Sequence, residues 1–238
     1  MLFCILKRLK VGTITIHEWT MKDPLNCIGY NAGVCWGAPL EEEKNVKRAL
    51  KCIEDGHGRV EELPDVYLTI DGYSAKMMRE LYTHIGGSPT RMQASTRYID
   101  YEKGFDVVTP PAIENNNDAM EVWCKALSDI KMAMGALKAM GIPKEDYTNL
   151  LPLAYQSKMI WKVNLRTLIN FMNMRLCSRA YWEIRGFANE LKKQLSDYSP
   201  EWKQIADELF VPKCEAVGYC TESQCCGRKE KKADVLRR

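Results

Sequence analysis

The sequence predicts an α/β (α+β) fold, a mixed sheet with packed helices in a single domain. Three observations point there. VGTITI (11–16) and PDVYLTI (64–70) are short, β-branched runs of strand type. Longer stretches repeat apolar residues at i, i+3, i+4 and i+7, the period of a helix with one buried face. Finally, 238 residues with 46% apolar and 27% charged side chains can bury the core of one large domain.

Each element has its own signal. After the strand at 11–16, residues 24–35 fit neither period cleanly. Pro39 and Glu41–Glu43 open a helix that runs to about Glu54. Its acids lie in the first turn and Lys51 lies late, as the helix dipole favours. Gly56-His57-Gly58 stops it. PDVYLTI follows as a strand, then a helix from Ser74, an N-cap residue, to Gly86-Gly87. QASTRYIDYEKGFDVVTPP (93–111) reads as extended or looped. Asn115–Asn117 and Asp118 begin a long helix to Met140, closed by Gly141 and Pro143. MIWKV (159–163) is a short strand or helix entry. Helices are expected at 165–175, 179–195 and 199–208, followed by a charged, solvated tail.

Composition excludes several classes. A net charge of +3 gives no strongly basic patch, so nucleic acid is not an expected partner. The longest apolar run, MLFCIL, is far short of the ~18 residues a membrane span needs. Lys7, Arg8 and Lys10 follow that run and do not precede it, so neither a membrane span nor a signal peptide is expected. The ten cysteines are mostly scattered through apparent helices, as in Cys52, Cys124 and Cys177, which reads as reduced thiols in a cytoplasmic protein. In the tail the spacing Cys214-x5-Cys220-x4-Cys225-Cys226 contains no CxxC unit, so unliganded thiols are expected and no metal site is assigned.

The candidate chemistry lies in two places. On a helical wheel of NLRTLINFMNMR (164–175), Leu165, Leu168, Ile169 and Met172 form the buried stripe. Arg166, Asn170 and Asn173 fall on one flank, and Asn164 and Arg175 on the other. Asparagine is a mediocre helix former, so three in twelve residues cost helix stability. Strand-like alternation places Ser95 and Arg97 on one face, a hydroxyl and a guanidinium fork suited to a phosphate. The histidines are His17, His57 and His84, and no Ser-His-Asp or Cys-His arrangement can be assigned.

VNLRTLINFMNMRLCSRAYWEIR (163–185) resembles the segment of flavin-dependent thymidylate synthases that runs roughly VNxRxLxxFxxxRxxxxAxWEIR. LLPL (150–153) fits as well, as does Gly56-His57 ahead of a strand. STRY (95–98) resembles the end of that family's signature RHRxxSxNxxSxR. The resemblance covers most of residues 30–195 and implies a synthase-like domain over 1–210 with a cysteine-containing tail over 211–238. It implies a homotetramer that binds FAD and dUMP at subunit interfaces. It also implies dTMP formation with 5,10-methylenetetrahydrofolate and NADPH.

The resemblance further implies roles for single residues. Arg175 would bind and polarise the uracil as the catalytic residue. Gln93, Ser95, Thr96 and Arg97, with Arg91, Glu80 and Thr83, would serve dUMP. His57, His84, Asn164, Arg166 and Asn170 would serve FAD. Departures are visible. RHR is reduced to Thr83-His84-Ile85, about two extra residues fall within IGGSPT, the signature's asparagine is Met92, and a further arginine is replaced by Thr148. Arg91 and Arg79 are candidates to compensate. These departures leave open a second reading, a non-catalytic flavin- or nucleotide-binding relative.

Overall fold

The computed structural model describes residues 12–86, 89–101 and 104–237. The opening MLFCIL, and Gly87 and Ser88 of the glycine turn, lie outside them. Strands β1 (Thr13–Ile16), β2 (Asp65–Ser74), β3 (Thr90–Gln93) and β4 (Gln156–Asn164) form an antiparallel sheet in the order β1-β2-β4-β3. The helices are α1 (Pro24–Trp36), α2 (Glu42–Glu54), α3 (Ala75–Leu81), α4 (Pro111–Glu114), α5 (Asn117–Ala139) and α6 (Lys144–Tyr147). They continue with α7 (Leu165–Arg175), α8 (Trp182–Tyr198), α9 (Pro200–Glu208), α10 (Lys213–Val217) and α11 (Lys232–Val235). The fold is therefore mixed α/β, as the two residue periods require.

The long strands show why the sequence folds this way. Val66, Leu68 and Ile70 of β2, and Met159, Trp161 and Val163 of β4, are buried at every second position. Each strand ends on a residue that caps the helix after it. The Ser74 hydroxyl accepts from the Met77 N–H at 3.1 Å, and Asn164 Oδ1 accepts from the Thr167 N–H at 2.9 Å. Such a cap contributes ~1 kcal/mol. Both strands are longer than the sequence suggests because they run as far as these caps.

The chain forms two compact units. Among the described residues, one holds 12–13, 70–81, 92–101 and 104–160; the other holds 14–69, 82–86, 89–91 and 161–237. In the first, Phe105, Val107, Met134, Tyr147 and Tyr155 pack together with Ala75. In the second, Trp161, Phe171 and Phe187 meet edge-on or tilted with centroids 5.4 to 6.4 Å apart. Aromatic pairs in this arrangement add ~0.5–1.5 kcal/mol beyond burial.

Four local readings change. Residues 24–36 form helix α1. Its first N–H groups, of Leu25 and Asn26, donate to the carboxylate of Glu201, so the cap comes from a distant helix. Helix α3 ends at Leu81 and not at Gly86. Helix α8 starts at Trp182, three residues later than the periodicity suggests. The tail is not a plain solvated segment: Cys220 bridges to Lys231, and α11 follows.

Candidate functional site

The C-terminal end of α7 gathers the first cluster. Arg175 Nε donates to His84 Nε2 at 3.0 Å, and its Nη2 donates to the Thr83 hydroxyl at 3.3 Å. His84 is buried, with its ring edge-on to Phe171 at 5.0 Å. Burial, followed by the nearby Arg175 and Arg91, lowers its pKa to about 4. The ring is therefore neutral at pH 7, with Nε2 the acceptor and the proton on Nδ1. Arg91 closes the other side of this segment. Its guanidinium donates to the carbonyls of His84 and Tyr82 and lies 5.1 Å from the Tyr82 ring centroid. Two arginines thus brace residues 82–84, which explains why α3 stops at Leu81: these tertiary bonds outweigh helix propensity.

The N-terminal end of α7, about 16 Å away at 1.5 Å per residue, gathers the second cluster. Asn164 is buried and caps the helix. Arg166 reaches back to Glu62 at 2.6 Å. Gly58 makes this possible, because a Cβ there would stand 3.1 Å from Arg166 Nε. His57 and Asn170 are exposed. Burial raises the pKa of Glu61, while Arg166 pulls it back down.

The buried face of α7 is Leu165, Leu168, Phe171 and Met172; Phe171 takes the place expected for Ile169, which is half-buried. Asn173 serves structure, since its amide donates to the carbonyls of Val211 at 2.8 Å and Leu209 at 3.3 Å. The helix therefore offers its groups from two ends, not from the two flanks that the wheel suggests.

The segment around Ser95 is a turn and not a pleated face. β3 ends at Gln93, and the Ser95 carbonyl accepts from the N–H groups of Tyr98 and Ile99. Ser95 and Arg97 still come together, because the Ser95 hydroxyl accepts from the Arg97 N–H at 3.3 Å. Arg97 Nε donates to Glu145 at 3.1 Å, an exposed ion pair. Gln93 donates to the buried Ser157 hydroxyl at 3.1 Å. Thr96 is half-buried in the turn, and Glu80 is half-buried on α3. Arg91, the candidate to compensate for a missing arginine, lies in β3. Thr148 is buried, and its hydroxyl donates to the Lys144 carbonyl at 2.7 Å.

His84, Thr83, Arg91 and Arg175 thus come together at one end of α7, and His57 and Arg166 come near the other. Gln93, Ser95, Thr96, Arg97 and Glu80 belong to the first unit. Sequence reasoning missed Glu62 and Glu145, the carboxylates that hold two of the arginines, because each pairs across a long stretch of chain.

Comparison with known proteins agrees with the motif at α7. The family model described as thymidylate synthase complementing protein matches residues 17–201. A flavin-dependent thymidylate synthase of Pyrococcus abyssi is 33% identical over 225 residues, covering 89% of this chain and 90% of that protein. One from Nitratidesulfovibrio vulgaris is 32% identical over 202 residues, covering 79% and 78%. One from Geobacter sulfurreducens is 30% identical over 216 residues, covering 87% and 90%. With matches of this extent running through both clusters of α7, the chain belongs to the thymidylate synthase complementing protein family, the methyltransferase family of the flavin-dependent thymidylate synthases.

Proposed function

We propose that this chain methylates dUMP to dTMP in the cytoplasm, with 5,10-methylenetetrahydrofolate as carbon donor and FAD and NADPH for hydride transfer. The observation that carries the reading is Arg175, a guanidinium fixed by a neutral histidine within the family match. A fixed cation at a uracil carbonyl stabilises negative charge as it develops there, and preorganised donors of this kind are worth ~3–4 kcal/mol. Ser95, Thr96 and Arg97 offer a hydroxyl pair, a guanidinium and turn amides to the nucleotide phosphate. Arg91, Thr83, Glu80 and Gln93 complete the proposed dUMP set. No cysteine is needed as nucleophile.

The residues present suit a flavin dinucleotide. Arg166, Asn170 and His57 offer a guanidinium, an amide and an imidazole to solvent, and Gly58 leaves the space that Arg166 occupies. Arg166 would hold the diphosphate, Asn164 fixes the helix start that carries Arg166, and His84 supports the far end. When bound, the flavin supplies the hydride. For the assembly we propose a homotetramer with sites at subunit interfaces. It is supported by α5, which buries only Met134 while Val122 and Met132 stay exposed.

The test pairs two measurements. The purified protein should be yellow and release FAD on denaturation, and the gene should rescue a thymidine auxotroph. A yellow protein that fails to rescue would support the non-catalytic reading. A colourless protein that cannot be reconstituted with FAD would overturn both.

A further inference from the structure

Four cysteines from distant parts of the sequence line one cavity. They are Cys177, between α7 and α8; Cys214 of α10; and Cys220 and Cys226 of the tail. The fold brings them there by identifiable bonds. Asn173 of α7 ties down the carbonyls of Leu209 and Val211, which leads the chain past the end of α7 where Cys177 lies. Cys220 is fixed by its own backbone, donating to the Glu230 carbonyl at 2.7 Å and accepting from Lys232 at 3.0 Å. Cys225 does not line the cavity: its sulfur accepts from the Gly227 N–H at 3.3 Å, donates to the Lys229 carbonyl at 3.2 Å and pairs with the Cys220 thiol. That leaves its neighbour Cys226 to line the cavity.

A second observation is independent of the lining. From Lys213 to Arg237 the one buried hydrophobic residue is Cys220. Apolar burial therefore cannot hold this segment in its defined path, and small elements without a core are commonly stapled by metals or disulfides. The charges suit a metal. Four thiolates around a divalent ion leave a net charge of −2; Lys213 and Arg179 line the cavity beside one carboxylate, Glu222, and Arg228 acts on Cys214 and Cys226 while Glu215 opposes it at Cys214.

We propose that Cys177, Cys214, Cys220 and Cys226 form a four-thiolate zinc site that fastens the tail to the end of α7. Among the described residues no three such side chains already converge as a metal-ligand set. Closing the site takes rotation of thiols that border an open cavity, and each ligating thiol releases its proton to solvent. Sulfur-only tetrahedral coordination is the ordinary arrangement of structural zinc.

The experiment uses the full chain purified under reducing conditions, with metal content measured by mass spectrometry before and after incubation with zinc. One zinc per chain is expected. Cobalt substitution should give thiolate-to-cobalt charge-transfer absorption and tetrahedral ligand-field bands. Cys177→Ser and Cys226→Ser should lose the metal and the charge-transfer band, and chelation should lower the Tm of the parent. Cys225→Ser should keep both, which separates the cavity thiols from a neighbour engaged with backbone. A reduced, folded parent that takes up no zinc overturns the proposal. So does cobalt absorption unchanged in Cys177→Ser, or a thiol titration showing these four cysteines oxidised to disulfides. None of these readouts depends on flavin or on dTMP formation.

Discussion

Nε of Arg175 donates a 3.0 Å hydrogen bond to Nε2 of His84, so the ring must be neutral for the guanidinium to hold its place. Protonation would remove the acceptor and set a third positive charge beside Arg175 and Arg91. The folded imidazole takes its proton at about 4, the unfolded one near its ordinary 6.5. Between these values the unfolded state binds more protons. The stabilisation is therefore complete above about pH 6.5 and is lost as pH falls towards 4. At ~1.4 kcal/mol per unit, up to ~3 kcal/mol is at stake. We expect Tm to fall across this window and the fall to be shallower in His84→Gln. Equal slopes in the two proteins would refute the assignment.

The same pair should govern turnover. His84→Gln keeps an acceptor near the position of Nε2 and should retain most dTMP formation. His84→Ala leaves Arg175 without that partner and should lower kcat about tenfold or more, an effect of ~1.4 kcal/mol. FAD content, read by absorbance after denaturation, decides whether a loss reflects cofactor binding instead.

Arg97 faces a choice between a carboxylate and a phosphate. Its pair with Glu145 is exposed, and such pairs contribute ~0–1 kcal/mol, whereas a charge-assisted bond to a ligand is worth ~1.5–3 kcal/mol. Glu145→Gln should therefore tighten dUMP binding about two- to fivefold, and Arg97→Ala should weaken it about tenfold or more. Titration of flavin absorbance with dUMP gives both constants. Tighter binding in Arg97→Ala would exclude a phosphate role.

Gly58→Ala places a methyl group 3.1 Å from Arg166 Nε and 3.2 Å from its Cζ. The guanidinium can shift by a few tenths of an ångström, so stability should change by less than ~1 kcal/mol. That shift moves Arg166 off the position in which Glu62 holds it, and FAD affinity should drop severalfold on reconstitution. An unchanged FAD dissociation constant would remove Arg166 from the flavin set.

Gly29 is the opposite case. A Cβ there would lie 1.8 Å from the Asn45 carbonyl oxygen, a backbone atom of α2 that cannot swing aside. Gly29→Ala should force α1 and α2 apart and cost ~2–3 kcal/mol or more, at the upper end for overpacking. Urea unfolding measures the loss, and a variant with parental stability would show that the two helices can separate without penalty.

What could be read in the sequence is what neighbouring residues decide among themselves. The period-2 burial of Val66, Leu68 and Ile70, the Ser74 cap and the 165–175 helix all follow from interactions within a few residues, and the Asn164 cap is equally local although the wheel placed Asn164 on a helix flank. The segment at 163–185 also carried enough identity to indicate the family. Tertiary structure decided the rest, because the deciding partners lie far along the chain. Helix α1 was ambiguous by pattern and is capped by Glu201, 176 residues from Leu25. Ser95 and Arg97 meet through a turn, although alternation suggested a strand. His84 gained its role only when the fold brought it to Arg175, 91 residues away, and buried it against Phe171. Cys177 joined the tail cysteines only when α7 and the chain after α9 were laid side by side. Local physics sets periods and caps, but a hydrogen bond between distant residues exists only after chain entropy has been spent to close the loop between them.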